Sequence, residues 1–381
     1  MWIVCIGQRE SRMGKSVLYL CLQATSEGQA SYAHVHEIVN GLKRRGWTVE
    51  LFEPFFARTS TSPGALVRLV SFVWVQLLLS TKLNRYRIVY IRSHFAALPT
   101  SILCKLMRIP VVQEVNGPYE DLFIAWPRTR LFGRVFKWMI RFQLRWAAAV
   151  VTVTPQLKEW VIQETGQQSI YVIPNGANTQ IFHPNASSRF SIEGSYAVFF
   201  GALAAWQGIE TILMAINSPE WPQDVKLVII GDGAERAIVE KAARNSTKVV
   251  YLGKIPYQDV AGVVANSLVG LSPNNNRGGR SQTGLFPLKV FETLACGVPV
   301  IVTDFPGQAD LVKEHNCGIV VSPDDPAALA EAVSFFYSNP SARHAMGQRG
   351  REVVEKEHSW DQRAGVTENM LIELMKGVGK R

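Results

Sequence analysis

Short apolar runs alternate with helix-length segments along this chain, and the alternation occurs twice in succession. Apolar runs of this length, bounded by turn formers, are typical of strands buried on both faces of a parallel sheet. The first series has six runs and the second has five: residues 16–22, 48–52, 87–91, 111–115, 149–153 and 170–173, then 197–200, 225–230, 249–252, 269–271 and 298–303. This pattern predicts an α/β chain with two doubly wound, Rossmann-like domains facing a central cleft.

A turn-rich joint at residues 174–178, PNGAN, separates the two series. A chain of 381 residues is too long for one typical core and suits two domains of about 180 residues each. We expect an N-terminal extension at 1–14, a first domain at 15–173, a second at 174–360, and a C-terminal helix at 361–381 that crosses back to the first. The helical segments after residue 322 are expected to pack across both domains.

The net charge of +9 is uneven, because residues 1–170 hold 21 Lys and Arg against 10 Asp and Glu. A basic first half attracts nucleic acid, an anionic membrane surface or a phosphorylated substrate. No nucleic-acid-binding module is recognisable, so nucleic acid is the weakest of the three. The five scattered cysteines have no metal-ligand or CxxC spacing, which favours a reducing cytoplasm and argues against a zinc site.

Two segments of the first half suit a membrane surface. Residues 65–81 contain an uncharged apolar run that is too short to span a bilayer, since spanning needs about 20 residues. They form either a buried crossover helix or an interfacial one with a basic rim. Residues 132–146 alternate aromatic and basic side chains, as in a helix on a membrane surface or one that covers a cleft edge.

The segment 284–292, GLFPLKVFE, places a Gly/Pro loop before a short helix, and an apolar strand follows at 300–303. Free backbone amides at a helix start suit a phosphate. Lys289 lies in the first turn, and Glu292 follows three residues later on roughly the same face. These groups suit a nucleotide, with its diphosphate on Lys289 and the amides and its ribose on Glu292. An ordinary helix–strand joint is the alternative.

Polar side chains stand at the carboxyl ends of predicted strands of the first half. Arg92 and His94 follow the third strand, and Glu114 and Asn116 close the fourth. Ligands of open α/β sheets gather at such strand ends, so these residues are candidates for a site. The alternative is that they only form turns. The loop after the first strand lacks the Gly-rich fingerprint of a dinucleotide fold.

Five ordered motifs then resemble a known family, the retaining GT-B glycosyltransferases of family 4 (glycosyl transferases group 1). The resemblance covers roughly residues 15–375 and is strongest from 170 onward. The matching segments are VIPNGAN at 172–178 with FHP at 182–184, Gly201 with Gln207-Gly208, IGDG at 230–233 with Glu235, YLG at 251–253, and 285–299 with ACGVP inside.

The resemblance implies transfer of a sugar from a nucleoside diphosphate to an acceptor, with retention at the anomeric carbon and without a metal or another cofactor. It implies that Glu292, the second Glu of the family's Glu-x7-Glu motif, holds the ribose. It also implies that the backbone at Gly231 and Asp232 approaches the nucleotide, and that Lys254 lies near the base. The remaining residues expected on the donor side are Gly201, Gln207, Arg277, Arg280, Leu285, Phe286, Pro287, Leu288 and Lys289.

Four positions depart from the family's pattern. The first Glu of its motif falls on Gly284, and the Arg and Lys that bind diphosphate fall on Ala202 and Gln207. The catalytic-region His of the N-terminal domain falls on Asn116. Together with the EVN-P, WQG and PLK-FE variants, these departures indicate a branch that carries its cation on Lys289.

The loop NNNRGGRSQT at 274–283 carries Arg277 and Arg280, which we expect to supply further positive charge to the diphosphate. A flexible solvated insertion is the other interpretation of this loop. In the first domain we expect His94, Glu114 and Asn116 to act at the reacting sugar. The residues expected on the acceptor side are Gly28, Gln29, Ala30, Ser31 and Arg92.

These features favour a cytoplasmic glycosyltransferase, peripheral on the inner face of the plasma membrane, that acts on a glycan or a lipid-linked acceptor. The four departures leave a rival, a catalytically silent nucleotide-sugar-binding or scaffold protein of the same fold. A sugar epimerase of this fold would need a dense acid/base constellation, which the sequence does not display.

Overall fold

The computed structural model describes residues 14–25, 30–58, 63–125, 127–277 and 283–378. The chain divides into two compact units. The first comprises residues up to Pro174 together with those from Arg363 on, and the second comprises Asn175–Gln362. Both units are α/β, and each contains one parallel sheet of six strands among the described residues.

The sheet of the first unit has the order β2-β1-β3-β4-β5-β6. Its strands are β1 Ser16–Cys21, β2 Thr48–Phe52, β3 Ile88–Arg92, β4 Val111–Val115, β5 Ala149–Thr152 and β6 Ile170–Val172. All six predicted runs are strands, and their ends lie within one residue of the prediction. Nearly continuous apolar sequence is what a parallel strand with both faces covered requires.

Helices cover both faces of this sheet. They are α1 Ala30–Arg44, α2 Ala65–Ser80, α3 Leu98–Leu106, α4 Glu120–Ala125, α5 Gly133–Trp146 and α6 Pro155–Thr165. Local sequence sets their ends, as α6 illustrates. The Thr154 hydroxyl accepts a hydrogen bond from the Leu157 amide, Pro155 occupies the first helical position, and Gly166 ends the helix with φ 71°.

The sheet of the second unit has the order β12-β11-β10-β7-β8-β9. Its strands are β7 Ser195–Phe200, β8 Val225–Ile230, β9 Val249–Gly253, β10 Val269–Ser272, β11 Val300–Thr303 and β12 Gly318–Val321. Five were predicted. The sequence analysis missed β12, a four-residue edge strand that follows the left-handed Asn316 with φ 48°.

The helices of the second unit pack on both faces of its sheet. They are α7 Ile209–Ala215, α8 Arg236–Asn245, α9 Tyr257–Ala265, α10 Leu288–Ala295, α11 Gln308–His315, α12 Pro326–Ser338 and α13 Pro340–Glu357. The last helix, α14, spans Trp360–Val378. Helix α10 is buried along its whole length, and it begins directly after Pro287.

Helices α12 and α13 lie within the second unit, and the prediction that they pack across both domains stays a prediction. The residues of α14 from Arg363 on belong to the first unit. There the Glu368 carboxylate accepts hydrogen bonds from Lys15 at 2.7 Å and from the Trp47 indole at 3.0 Å. The predicted N-terminal extension, residues 1–14, lies outside the described residues except for Gly14.

Helix α2 is not the fully buried crossover helix that was one interpretation of residues 65–81. Only Ser71, Phe72, Val75 and Leu79 are buried. Eight large apolar side chains on the opposite half of the helix are exposed. No helix in the described part of the chain combines the length and apolarity needed to cross a bilayer.

Candidate functional site

Three residues that were predicted on the donor side contact one another in the second unit. Lys289 Nζ donates a hydrogen bond to Gln207 Oε1 at 2.7 Å, which joins helix α10 to the loop after β7. The same ammonium lies 3.8 Å from the centroid of the Phe199 ring. A Cβ atom at Gly201 would stand 3.6 Å from Nζ, so the loop backbone passes directly beside the lysine. The arrangement fixes one cation against a glycine-bearing loop.

The loops after β7 and β8 cross at two glycines. A Cβ atom at Gly231 would lie 1.8 Å from the Gly201 carbonyl oxygen, and Gly231 has φ 137°. Glycine is therefore required at 231 for two reasons, the backbone conformation and the close approach of the second loop. Beyond the crossing, the Asp232 carboxylate is exposed and accepts a hydrogen bond from the Gly233 amide at 2.8 Å.

We expect Gly231→Ala to destabilise the second unit by about 3 kcal/mol or more, because the added methyl group would force the two loops apart where they cross. Gly194→Ala is the matched control, since Gly194 has φ 81° but open space around its Cβ position. The control should lose only about 1 kcal/mol from backbone strain. Urea denaturation of both variants measures the difference, and equal losses would contradict the crossing as the cause.

The segment before α10 is held in place by backbone contacts. Leu285 forms a parallel bridge with Gly307, and its amide donates to the Pro306 carbonyl at 2.8 Å. The Phe286 carbonyl accepts a hydrogen bond from the Asn175 side chain at 2.7 Å. Two of the four residues 285–288 therefore have no free amide for a phosphate, and the prediction that amides of this segment hold the donor stays a prediction. The Leu285 amide is already bonded, and Pro287 has no N–H.

Glu292 and Lys289 are buried on the same helix, with 4% and 8% of their surfaces exposed. Burial raises the pKa of Glu292 to about 7, against the opposing effects of a hydrogen bond from the Tyr257 hydroxyl and of the Lys289 charge. Burial lowers the pKa of Lys289 to about 7, against the opposing attraction of Glu292. Both groups therefore change protonation close to neutral pH.

These two shifts predict that any activity which needs both the Glu292 carboxylate and the Lys289 ammonium has a bell-shaped pH profile, with its maximum near pH 7. Below the maximum Glu292 is protonated, and above it Lys289 is neutral, so activity should fall about threefold in the first pH unit on either side and about tenfold per unit beyond. Lys289→Arg should remove the alkaline limb, because arginine stays charged. An unchanged alkaline limb in that variant would assign it to another group.

Lys254 and Arg277, also predicted on the donor side, lie at the surface of the second unit. Lys254 is exposed, directly after Gly253 with φ 65°. The Arg277 guanidinium lies 3.4 Å from a Glu210 carboxylate oxygen, beside a cavity of about 330 Å³. The cavity is also lined by Ala205, Thr211, Asn275, Asn276 and Asp324. Arg280 lies outside the described residues.

In the first unit, the Glu114 carboxylate accepts hydrogen bonds from several buried groups. Arg92 Nη1 and Asn116 Nδ2 contact Oε1 at 2.6 and 2.7 Å. The hydroxyls of Tyr19 and Tyr90 lie 3.1 and 2.9 Å from Oε2, and His34 Nε2 lies 3.1 Å from it. We call these six residues the Glu114 cluster: Tyr19, His34, Tyr90, Arg92, Glu114 and Asn116.

The cluster holds Glu114 as a carboxylate. Burial alone would raise its pKa, but His34, Arg92 and Asn116 outweigh burial and keep the pKa well below its usual range. A carboxylate saturated by donors does not serve readily as a base. Arg92, predicted on the acceptor side, is buried, and it also donates to Gln23 through Nε at 2.8 Å. Both residues are thus held in place by their partners, and the roles predicted for them at the reacting sugar and the acceptor stay predictions.

His94 lies apart from the partners of Glu114. Its Nδ1 accepts a hydrogen bond from the Ala96 amide at 3.2 Å, and its ring packs on Phe72 and Phe95. Burial and the nearby Arg68 charge lower the pKa of His94 to about 3, so the ring is neutral at working pH. The structure thus gives His94 a capping and packing role beside α2.

Gly28 and Gln29 lie outside the described residues. Ala30 and Ser31 form the first turn of α1, where the Ser31 hydroxyl donates to the Ala24 carbonyl at 2.9 Å. Across the described ranges, no group of three or more His, Cys, Asp or Glu side chains is arranged to hold a metal ion. The absence of a metal from the reaction stays a prediction.

The sequence analysis missed four polar side chains that complete these groups. Tyr257 binds Glu292, and Tyr19, Tyr90 and His34 bind Glu114. Two of them leave a signal in the sequence, because Tyr19 and Tyr90 are polar residues inside otherwise apolar strands. They stand in register on neighbouring strands, and their rings stack at 4.8 Å.

Comparison with protein-family models matches both units. Residues 33–181 match the family described as Glycosyltransferase Family 4, and residues 186–353 match the family described as Glycosyl transferases group 1. The two matches are consecutive, and the first ends seven residues beyond the boundary between the units. Together they extend over most of the chain.

Curated relatives are similar over part of their length. A GDP-mannose-dependent monoacylated alpha-(1-6)-phosphatidylinositol monomannoside mannosyltransferase of Corynebacterium glutamicum is 33% identical over 139 residues, 36% of each chain. An uncharacterised glycosyltransferase of Methanocaldococcus jannaschii is 28% identical over 246 residues, 61% of each chain. The chain therefore matches between a third and two thirds of the length of these relatives.

Solved structures share the fold over nearly the whole chain. Sucrose-phosphate synthase from Thermosynechococcus elongatus superposes with a TM-score of 0.77 at 17% identity, covering 95% of this chain and 100% of the other. HepE of Anabaena, solved in complex with UDP, superposes with a TM-score of 0.69 at 16% identity, covering 94% and 100%. The two family matches and the shared fold show that the chain belongs to the group 1 glycosyltransferases with the GT-B fold.

Proposed function

We propose that this protein transfers a sugar from a nucleoside diphosphate sugar to a glycan or lipid-linked acceptor, with retention of configuration. The observation that carries the proposal is the contact between Lys289 and Gln207. Gln207 stands where the resemblance places the diphosphate-binding lysine of the family. The ammonium of Lys289 lies beside it, so a residue of a different helix brings the cation to the same place.

The Lys289 ammonium supports a mechanism in which the protein stabilises the departing diphosphate. During transfer the bond from the anomeric carbon to the phosphate oxygen breaks, a bond to an acceptor oxygen forms, and negative charge develops on the departing diphosphate. A buried ammonium stabilises that charge more strongly than an exposed one would. Lys289 therefore acts on the diphosphate and Glu292 on the ribose hydroxyls, in a reaction that uses no metal.

The crossing of the loops at Gly201 and Gly231 supports a backbone approach to the nucleotide. Neither position carries a side chain that would keep a ligand away from the loop backbone. The amides of Gly201 and Gly231 are already bonded to the Ile230 and Gly253 carbonyls, so the approach we propose is one of close packing and not of donated hydrogen bonds from these two amides. Phe286 and Leu288 supply the remaining amides at the start of α10, with Asp232 and Lys254 further out. Arg277 and Arg280 add positive charge near the donor.

The first unit takes the acceptor in this proposal. The Glu114 cluster supports that role as a rigid polar group at the carboxyl ends of β3 and β4. Asn116 is the half-buried member of the cluster, and we assign it contact with the reacting sugar, while Glu114 and Arg92 hold it in position. We place the protein in the cytoplasm, peripheral on the inner face of the plasma membrane, where a lipid-linked acceptor is accessible.

A transfer assay tests the proposal. Purified protein is incubated with radiolabelled nucleotide sugars and extracted lipid, starting with GDP-mannose and UDP-glucose. The first donor is named for the Corynebacterium relative, and the second is bound in a solved HepE structure. We expect label in the lipid or glycan fraction from one donor, unaffected by EDTA. Donor binding by calorimetry without transfer to any cell extract would instead indicate a silent binding protein.

A further inference from the structure

Three neighbouring helices of the first unit expose a large apolar surface. Helix α2 packs against α3, and α3 packs against α5. All three cover the same face of the sheet, and the large apolar side chains that they expose are Leu66, Val67, Leu69, Val70, Val73, Trp74, Leu77, Leu78, Ile102, Leu106, Val135, Trp138 and Trp146. Isolated exposed apolar residues are ordinary, but a contiguous patch of this kind marks an interaction site. We call it the three-helix face.

Two amide side chains, the half-buried Gln76 and the buried Gln143, fix the three helices to one another from the inner side. Gln76 of α2 donates to the Ala96 carbonyl and accepts hydrogen bonds from the amide and hydroxyl of Thr100, in α3. Gln143 of α5 accepts a hydrogen bond from Ser101 of α3 at 3.0 Å and donates to the His94 and Phe95 carbonyls. The face is therefore a preformed platform, with its polar contacts turned inward and its apolar side chains turned outward.

An aromatic row runs along α5 at intervals of four residues. The rings of Trp138 and Phe142 are 5.4 Å apart, and those of Phe142 and Trp146 are 3.5 Å apart. Lys105 of α3 lies 5.7 Å from the Trp146 ring, which joins the row to the neighbouring helix. Tryptophan beside lysine and arginine is the composition of side chains that rest at the boundary between lipid tails and headgroups.

The charge on the three helices has one sign. They contain Arg68, Lys105, Arg134, Lys137, Arg141 and Arg145, and no Asp or Glu. Lys137 and Arg141 also contact Glu120 and Glu164 of neighbouring segments, at 3.2 and 3.5 Å. Arg134 and Arg145 lie at the exposed surface of α5. A face of this kind complements an anionic surface.

We propose that the three-helix face inserts into the headgroup region of an anionic lipid bilayer, with α2 supplying the apolar contact and α5 the aromatic and cationic contacts. A second copy of the chain fits less well as the occupant. A two-fold contact would place this face against itself and oppose two sets of like charges. The inference goes beyond the proposed reaction, because binding to lipid through this face needs no nucleotide sugar.

Vesicle sedimentation tests the inference with a matched pair of variants. Trp74 on α2 is 59% exposed, and Met214 in the second unit is 60% exposed. We expect the full chain to bind phosphatidylcholine vesicles that contain roughly a third phosphatidylglycerol, and to bind more weakly in pure phosphatidylcholine or in high salt. Trp74→Glu should weaken binding at least tenfold, and Met214→Glu should leave it unchanged.

The proposal would be overturned if both variants bound like the parent protein, or if the parent did not bind anionic vesicles at all. Light scattering in the absence of lipid tests the alternative, in which a second copy of the chain binds the three-helix face. A parent dimer that Trp74→Glu converts to a monomer, without vesicle binding, would assign the face to a second copy.

Both variants should unfold at the parent's temperature, since both changes lie on exposed surfaces. Transfer to a water-soluble acceptor should survive Trp74→Glu, so that failure of the lipid inference is distinguishable from failure of the proposed reaction.

Discussion

Lys289→Ala should lower kcat/KM for the nucleotide sugar by about 100- to 1,000-fold, because it removes the cation assigned to the leaving diphosphate. The ammonium is buried against Gln207 and Phe199. A charge in such a site is poorly screened, and its removal costs far more than loss of a surface lysine. Steady-state kinetics with the donor identified by the transfer assay measures the effect.

Two controls separate the loss of charge from damage to the fold. Lys241→Ala removes an exposed lysine of α8 in the same unit and should leave kcat/KM within twofold of the parent. Lys289→Met keeps an apolar stem over the Phe199 ring and should unfold no earlier than the parent protein. Burial disfavours the lysine charge, as its lowered pKa indicates, and methionine carries none. Full activity in Lys289→Met would remove Lys289 from the mechanism.

Glu114→Ala should destabilise the first unit by about 3–5 kcal/mol, because it leaves the charge of Arg92 buried without its partner. The two tyrosine hydroxyls and the Asn116 amide would lose their acceptor as well. Equilibrium urea denaturation, followed by hydrogen exchange in peptides from β1, β3 and β4, measures the loss within this unit. Glu373→Ala is the matched control. It removes an exposed carboxylate that Tyr171 contacts at 3.1 Å, and it should cost less than 1 kcal/mol.

The pH dependence of the unfolding free energy of Glu114→Gln shows whether the stability lost in this variant is electrostatic. The folded-state pKa of Glu114 lies well below the usual value of 4.5. The charge of Glu114 therefore stabilises the fold fully above pH 4.5, and this stabilisation is lost as the pH falls towards the folded-state pKa. The stability deficit of Glu114→Gln should therefore be largest near neutral pH and should shrink below pH 4.5. A deficit that stayed constant down to acid pH would indicate lost packing, not lost charge.

The periodicity of the sequence predicted most of the architecture. Eleven of the twelve described strands follow from apolar runs between turn formers, because a strand covered on both faces must be apolar throughout. The missed strand, β12, is a short edge strand whose sequence, GIVV, begins with a glycine. The sequence of residues 284–303 predicted a short helix with Lys289 in its first turn and a strand at 300–303, and α10 and β11 confirm both.

Side-chain partners were harder to predict than elements. Lys289 and Gln207 are separated by 82 positions, and nothing in either local sequence indicates their contact. His94 looked like a site residue because it follows a strand, yet its ring packs on Phe72. The same rule pointed to Glu114 and Asn116, which do contact each other, and the catalytic roles predicted for all three residues stay predictions. A strand end indicates where polar residues gather, but the covering helices decide which way each side chain points.

The sequence likewise could not predict that the outer side of helix α2 is exposed. Residues 65–81 fit a buried helix and an interfacial helix equally well, because both are apolar over most of their length. The distinguishing fact is what covers each side of α2. Its inner side packs through Phe72 and Val75, and its outer side carries Trp74 and Leu77 without cover in the described chain.

A crystal structure of the protein with UDP or GDP tests the donor site most directly. The account predicts a phosphate oxygen within about 3 Å of Lys289 Nζ, as in a charge-assisted hydrogen bond. It also predicts the ribose hydroxyls on the Glu292 carboxylate and the phosphates beside the Gly201 loop. The account would be contradicted by a bound nucleotide whose phosphates lay away from Lys289, with the Lys289 ammonium still bonded to Gln207 and touching no phosphate.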